Sequence, residues 1–423
     1  MNYYRFHNKY VAAKENLKLP DEMKKISEDE IEKCEEFYYL FDASPLNNRR
    51  SFCISDEHDL FTDNEYIDIL KKHICKNSSL PEHLTRIIEK RHAAALNIKC
   101  PSWNDAIDQG LIQSFHQSKS RWNINVAGMG DVGGTLCMGL RLLGAGLIQN
   151  IGIYDKDMNK SRRWEYELNQ ICYPSGNDDL PHVNIIDEDN LFDCDMFVFC
   201  ISVGVPPAGK ENCDVRMAQF EGNSKIMSYY AKLSKKQNFK GIFAVVSDPV
   251  DLLCKTAFIE SNKNSDGTFD FSGLSSDRIQ GYGLGVMYAR ASYYAQKNPG
   301  YSYFKKSGRA FGPHGKGLII ADNIDNYNEK VSEYLTKKAE SANIDIRETG
   351  FKPFVAPALS SGALSIISTI KNEWHYSNVF IGGSYFGVRN RLSDYGIEIE
   401  KYDMPQKLFE KISKSYDEVK KII

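Results

Sequence analysis

A glycine-rich turn follows the first strongly apolar run beyond residue 120: Val126-Ala127-Gly128-Met129-Gly130-Asp131-Val132-Gly133-Gly134. The run before the turn predicts a strand, and the apolar spacing after it predicts a helix. In such a unit Gly128 permits the tight turn, Gly130 lets the backbone approach a pyrophosphate, and Gly133 lets the helix pack closely on the strand. The N-terminus of the helix then offers free N–H groups and a positive dipole end to the phosphates.

A carboxylate ends the next apolar run, Ile153-Tyr154-Asp155, about 20 residues beyond the last glycine. An Asp at this position bonds both hydroxyls of an adenine ribose and repels a 2′-phosphate, which favours NAD over NADP. The alternative is a plain turn of glycines beside an Asp that caps a strand. We predict a cofactor-binding loop made of Gly128, Met129, Gly130, Asp131, Val132 and Gly133, with Asp155 on the ribose.

The region around this turn alternates short β-branched runs with helical stretches. Strands are predicted near 124–127, 151–154, 183–186, 196–201, 242–246 and 278–280. This alternation is typical of βαβ units in a parallel, doubly wound α/β sheet. Beyond Gly283 the pattern predicts a helix, short strands near 308–320, a helix near 325–342, a strand near 378–382 and a terminal helix from Pro405. We interpret this part as a second, α+β domain.

Residues 1–120 are rich in Lys, Glu and His, poor in Gly, and marked by helix-period patches. Ser27 is a plausible N-cap before an acidic first turn, and Pro81 fits the first turn of another helix. We predict a mostly helical extension over 1–120, a dinucleotide-binding domain over 121–283 and a substrate domain over 284–423. The charges of the extension indicate solvated helix faces, with a regulatory or partner-binding role as the alternative.

The overall composition excludes several classes of protein. The 423 residues carry 53 Lys plus Arg against 56 Asp plus Glu, so no basic field exists to bind a nucleic acid backbone. The ten cysteines form no CxxC pair, and no apolar stretch reaches the length of a membrane span. No metal-ligand spacing is present among the nine His. We therefore expect a cytoplasmic protein with a small-molecule substrate, without a metal, a membrane anchor or a nucleic acid partner.

Four further motifs occur in order with the glycine turn and its acid, and together they resemble the lactate/malate dehydrogenase family over residues of about 122 to 420. They are Gly204-Val205-Pro206, Asp248-Pro249-Val250-Asp251, Gly281-Tyr282-Gly283 running into Ala289-Arg290, and Gly312-Pro313-His314-Gly315. The resemblance implies a Rossmann-type domain followed by an α+β catalytic domain, an NAD cofactor, and a homo-oligomer, either a dimer or a tetramer. The first 120 residues lie outside it.

The same resemblance assigns roles to individual residues. The family passes a hydride between nicotinamide and the alcohol carbon of a 2-hydroxy acid, which requires a base, a cation for the substrate carboxylate and a donor to the carbonyl. His314 matches the catalytic histidine, Arg290 the carboxylate clamp and Arg216 the arginine that polarises the carbonyl. Gly204 and Asp248 fall at positions that contact the cofactor.

Three positions depart from the family pattern. Met287 stands where the family has the aspartate that orients the catalytic histidine, so the resemblance predicts that His314 borrows another carboxylate, for which Asp251 and Glu211 are candidates, or is a poor base. Asp248 replaces an asparagine, and its charge could pair with a protonated His314 or with a cationic substrate. The stretch Pro206-Pro207-Ala208 lacks the Gln or Arg that reads the far end of the substrate, with Lys210 as the only obvious cation nearby.

Tyr288 also replaces a small residue of the family, and its hydroxyl could serve as an acid, although a packed core tyrosine is the simpler interpretation. The leading hypothesis is an NAD-dependent oxidoreductase acting on an altered 2-hydroxy or 2-oxo acid, with ordinary malate disfavoured. The main alternative is a catalytically impaired NAD-binding sensor or assembly protein. A third is an NAD-dependent glycosidase, which would need Cys200 or Cys213 to hold a divalent metal together with His314.

Overall fold

The computed structural model describes residues 1–60, 64–73, 80–101, 103–104, 107, 121–176, 179–203 and 215–422. The chain divides into two compact units. The first consists of Met1–Lys119, Phe380–Gly383 and Asn390–Asp403, and the second of Ser120–Val379, Ser384–Arg389 and Met404–Ile423. The predicted boundary at 283 stays a prediction, because the second unit continues past it.

The first unit is built on a mixed six-stranded sheet. Its strands are β1 (Asn2–Phe6), β2 (Lys9–Ala13), β3 (Lys24–Ile26), β4 (Phe37–Phe41), β5 (Ser51–Cys53) and β6 (Ala93–Asn97). Their order is β3-β1-β2-β4-β6-β5, with β2, β4 and β6 parallel. The described helices here are short: α1 (Glu28–Ile31), α2 (Glu82–Glu89) and the 3₁₀ turns Glu57–Leu60 and Ile67–Leu70. The expectation of a mostly helical extension is therefore wrong.

The reason lies in how the central strands are buried. Side chains of β4 alternate between two apolar clusters: Phe37 and Tyr39 pack in one, and Tyr38 and Leu40 in the other. Because both faces are covered, β4 and β6 show continuous apolar runs instead of the alternation that reveals a half-buried strand. The run Ala93–Asn97 is also rich in alanine, the best helix former, and its burial in the sheet overrides that preference.

The second unit contains a parallel sheet of six strands. They are β7 (Trp122–Ala127), β8 (Ile148–Tyr154), β9 (His182–Ile185), β10 (Met196–Phe199), β11 (Ile242–Val245) and β12 (Ile279–Gly281). Read from the other end, the order β9-β8-β7-β10-β11-β12 places the third, second, first, fourth, fifth and sixth of these strands side by side. This is the doubly wound Rossmann order, and it confirms the predicted fold class. All six predicted strands occur within a few residues of their expected positions.

Helices and short strands complete the second unit. The helices are α3 (Asp131–Leu143), α4 (Met158–Asn169), α5 (Val215–Lys236), α6 (Val250–Asn262), α7 (Leu284–Gln296), α8 (Phe304–Ser307), α9 (Glu329–Glu348), a π-helical segment Pro357–Ala363 that leads into α10 (Leu364–Ile370), and α11 (Gln406–Lys420). The remaining strands are the hairpin β13 (Arg309–Phe311) and β14 (Ile319–Ala321), followed by β15 (His375–Ile381), β16 (Ser384–Ser393) and β17 (Gly396–Ile399). Of these, β17 and the last residues of β15 and β16 belong to the first unit. Across the described residues, no helix combines the length and the apolar character needed to cross a membrane.

The C-terminal strands bring a charged cluster into the first unit, where the end of β16 pairs with β17. Glu398 on β17 accepts hydrogen bonds from Arg91 Nε at 2.6 Å and from Arg391 Nε at 2.7 Å. The Glu398 side chain is only 4% exposed, whereas those of Arg91 and Arg391 are 34% and 28% exposed. One buried carboxylate thus accepts hydrogen bonds from two half-buried guanidinium groups.

We expect Glu398→Ala to lower the free energy of unfolding by about 2–3 kcal/mol, because both arginines lose a buried partner. Glu82→Ala is the matched control, since it removes the exposed partner of Arg86; it should cost less than about 0.5 kcal/mol. Urea denaturation followed by circular dichroism measures both. Equal losses in the two variants would contradict a structural role for the Glu398 cluster.

Candidate functional site

The strand order of the second unit reverses between β7 and β10, and the glycine turn lies at the carboxyl end of β7. Gly128 has φ +99°, and a Cβ there would lie 2.8 Å from the backbone carbon of Cys200. A Cβ on Gly133 would lie 1.9 Å from the carbonyl oxygen of Gly128. A Cβ on Gly130 meets nothing within 4 Å. Gly128 and Gly133 are therefore required by packing, while Gly130 leaves open space beside the start of α3.

Asp155 is held in place by the backbone around it. Its Oδ2 accepts the N–H of Met129 at 2.8 Å, and its Oδ1 accepts the N–H of Asp157 at 2.9 Å. The Nζ of Lys160 lies 4.0 Å from Oδ1. Met129 itself is buried, and its carbonyl accepts the indole N–H of Trp164 at 3.1 Å. Met129 therefore positions the acid and does not line the cavity described next.

A cavity of about 1500 Å³ runs along this edge of the sheet. It brings together most of the sequence-predicted site: Gly128, Gly130, Asp131, Val132, Gly133, Asp155, Asp248, Arg290 and His314. Gly204 lies outside the described residues. Arg216 lies in the first turn of α5, and its side chain is likewise outside the description.

The central contact of the cavity joins His314 and Asp248. The Nδ1 of His314 lies 2.9 Å from the Oδ1 of Asp248. An ionised carboxylate has no proton to give, so Nδ1 carries the hydrogen of this contact, and a neutral imidazole then has its lone pair on Nε2. The carboxylate that contacts His314 is therefore Asp248 rather than Asp251, which is buried, whereas Glu211 lies outside the described residues and stays a prediction.

The backbone on both sides of this contact is fixed. His314 lies between Gly312 (φ +100°) and Gly315 (φ +125°), conformations that favour glycine. The carbonyl of Asp248 accepts the amide of Asn223 on α5 at 2.7 Å, and Asn223 Oδ1 in turn accepts the N–H of Val203 at 2.9 Å. Asn223 is fully buried. No motif in the sequence indicated Asn223. Its position on an apolar stripe of the predicted helix was the one feature that could have identified it.

Arg290 presents part of its guanidinium to the same cavity. Its Nη1 donates to the Ala339 carbonyl at 3.3 Å and lies 3.6 Å from the sulfur of Met287. Its Nε and Nη2 have no hydrogen-bond partner among the described residues. Burial lowers the pKa of Arg290, and the charge of Asp248 partly offsets this effect. A buried cation with free donors in a planar fork is suited to a carboxylate ligand.

Two other residues singled out by sequence are less suited to chemistry. The Tyr288 ring stacks on Phe304 and Tyr376, with centroid separations of 5.5 and 4.6 Å, and its hydroxyl donates to the Lys305 carbonyl at 3.4 Å. It is a packed tyrosine, as the simpler interpretation had it. The other residue is Cys200, and burial raises the pKa of its thiol to about 12.

One face of α9 also lines the cavity, and no motif indicated it. It contributes Glu340, Asn343 and Arg347, which are spaced to share one side of a helix. The only sequence signal was this spacing of polar residues beside the buried positions Leu335 and Ala339.

The chain was compared with known proteins at the level of sequence. No model of a known protein family matches it. The curated L-lactate dehydrogenase 2 of Staphylococcus aureus strain Newman is 24% identical over 258 residues, which cover 53% of this chain and 74% of that protein. The same enzyme from strain JH9 is 24% identical over 267 residues, covering 55% and 77%.

Solved structures give a consistent result. A lactate dehydrogenase from a Medee basin deep-sea metagenome aligns with a TM-score of 0.58 and 18% identity, over 72% of this chain and 98% of its own. Malate dehydrogenase from Archaeoglobus fulgidus in complex with NADH aligns with a TM-score of 0.56 and 16% identity, over 71% and 97%. The motifs, the sequence likeness and the fold agree: the chain is similar in sequence to L-lactate dehydrogenases and shares the fold of the lactate and malate dehydrogenases.

Proposed function

We propose that the protein is an NAD-dependent dehydrogenase that passes a hydride between nicotinamide and a 2-hydroxy acid. The observation that carries the proposal is the 2.9 Å contact between His314 Nδ1 and Asp248 Oδ1, in the cavity that also contains Arg290 and the glycine turn. It supplies the histidine with the carboxylate that Met287 does not provide.

The residues at the glycine turn fit a dinucleotide. No side chain caps the N-terminus of α3, so its first N–H groups point to the cavity without a side-chain acceptor in this region. The open space at Gly130 admits a phosphate, and Asp155 at the cavity wall would accept the ribose hydroxyls. When bound, NAD supplies the carbon that accepts or gives the hydride. Gly204 is proposed as a further contact of the cofactor.

The proton and the substrate are handled by side chains of this chain. In the oxidative direction, Nε2 of His314 accepts the proton of the substrate hydroxyl, and Asp248 stabilises the resulting imidazolium. In the reductive direction the same proton returns to the carbonyl oxygen. Arg290 binds the substrate carboxylate through its free donors, and Arg216 at the start of α5 polarises the carbonyl.

The finer parts of the proposal concern substrate and setting. Ordinary malate is disfavoured, because Pro206-Pro207-Ala208 offers no cation for a second carboxylate. A cytoplasmic location is supported by the cysteines, since those in the described part of the chain form no disulfide. A homo-oligomer is proposed from the resemblance alone.

The alternatives are less well supported. A sensor without activity was suggested by Met287, by Asp248 and by the first 120 residues. The contact of Asp248 with His314 supports the enzyme instead. A glycosidase would need a metal-binding thiolate, whereas the pKa of Cys200 is raised to about 12 by burial, and Cys213 lies outside the described residues.

The function is tested directly by NADH consumption with a panel of 2-oxo acids. We expect turnover with at least one compound and a loss of at least about a hundredfold in kcat for His314→Ala, because the proton then has no acceptor. NADH binding, followed by its fluorescence, should be unchanged in the variant. Binding of NADH without turnover across the panel would instead favour the sensor.

The role of Asp248 has its own prediction. Asp248→Asn should lower kcat by about 10²–10⁴, since an amide neither fixes the tautomer nor stabilises the imidazolium. Met287→Asp in the Asp248→Asn background should restore part of the activity, because the family places its orienting carboxylate at that position. An Asp248→Asn variant with wild-type kcat would remove Asp248 from the mechanism.

The cofactor loop is tested by two substitutions of equal size. Gly130→Ala should fold normally, because its Cβ meets nothing in the described structure, yet weaken NADH binding by about tenfold by filling the phosphate space. Gly133→Ala should lower the melting temperature, because its Cβ would clash with the Gly128 carbonyl at 1.9 Å. Fluorescence titration and thermal melts separate the two effects. Unchanged NADH affinity in Gly130→Ala would contradict the assigned loop.

A further inference from the structure

The face of α9 in the cavity is linked to Arg290. The Nη1 of Arg290 donates to the carbonyl of Ala339 at 3.3 Å, and the next residue along the helix is Glu340. Asn343 follows one turn later, where its N–H pairs with that same carbonyl in a regular α-helix. The residue that clamps the substrate carboxylate is thus anchored to the helical turn that carries two cavity-lining acceptors.

Both of these acceptors lack a partner. The Oδ1 of Asn343 is buried and has no hydrogen-bond partner in the described structure. Glu340 is half-buried, and neither a hydrogen bond nor an ion pair to it occurs among the residues described. Burial alone raises the pKa of its carboxyl group. A desolvated acceptor without a donor costs free energy. A ligand that donates hydrogen bonds to these acceptors removes that cost, which favours its binding.

We infer that the substrate is a 2-oxo or 2-hydroxy acid whose side chain ends in an uncharged hydrogen-bond donor, received by Glu340 and Asn343. This inference rests on the proposed dehydrogenase function. Glu340 determines that the ligand must be a hydrogen-bond donor. The amide of Asn343 can rotate to donate or to accept a hydrogen bond, but an ionised carboxylate only accepts. A substrate with a second carboxylate is repelled by Glu340, and an apolar side chain leaves both acceptors unpaired.

The test uses three 2-oxo acids of nearly equal shape, which end in an amide, a carboxylate or an isopropyl group: 2-oxosuccinamate, oxaloacetate and 4-methyl-2-oxopentanoate. We expect kcat/KM for the amide to exceed that of each other compound by at least about tenfold, because sites built for hydrogen bonds reject analogues that lack the donor. Binding of the three compounds to the NADH-loaded His314→Ala variant, which keeps NADH but lacks the proton acceptor, should give the same order of affinity when it is measured by NADH fluorescence.

Two variants locate the preference. Glu340→Gln should reduce the discrimination against oxaloacetate by about tenfold, since glutamine retains an acceptor but loses the charge. Asn343→Leu should reduce the preference for the amide over the isopropyl compound by a similar factor. Glu348→Gln, on an exposed position of the same helix, is the control and should change neither ratio.

The outcomes separate the two hypotheses. Turnover that favours the carboxylate or isopropyl compound, or an amide preference that survives both variants, overturns the inference and leaves the dehydrogenase function standing. No turnover with any 2-oxo acid overturns the proposed function, and the inference with it.

Discussion

The contact that the second unit depends on is the close approach of α3 to the end of β7. A Cβ on Gly133 would lie 1.9 Å from the Gly128 carbonyl, so only hydrogen fits between the helix and the strand. This approach directs the uncapped N-terminus of α3 into the gap where the strand order reverses. The backbone N–H of Met129 then reaches Asp155 at the end of β8. Phosphate donors and a ribose acceptor are thereby placed on one wall of a single cavity.

In the same cavity, the position of the orienting carboxylate determines the partners of His314 and Arg290. In the family that the chain resembles, the orienting carboxylate belongs at position 287, whose Met side chain here lies 3.6 Å from Arg290 Nη1. In an aspartate at 287, the carboxylate oxygens would be separated from Cα by the same number of bonds as the Met287 sulfur. They would therefore reach the guanidinium of Arg290. With the charge moved to Asp248, His314 keeps a partner and Arg290 keeps its Nε and Nη2 donors available in the described structure.

The sequence predicted the parts of this arrangement that depend on local backbone constraints. Gly128 and Gly133 and the acid after β8 follow from a turn that has one geometric solution, and the strands around them are short and β-branched. The sheet of the first unit escaped prediction, because Phe37–Phe41 and Ala93–Asn97 are buried on both faces and show no alternation. When both faces of a short segment are covered, its apolar run does not distinguish a buried strand from a buried helix.

The contact between His314 and Asp248 marks a second limit, because 66 residues separate the two side chains. The sequence showed that a carboxylate was missing at 287 and that an extra one at 248 could pair with a protonated His314, yet Asp251 and Glu211, and not Asp248, were the predicted replacements. What joins Asp248 to His314 is the fold: β11 ends before Asp248, and the turn after β13 carries His314. Asn223 then holds the Asp248 carbonyl in place from α5. A displaced charge can thus be recognised as compensation only when its distance to the group it serves is known.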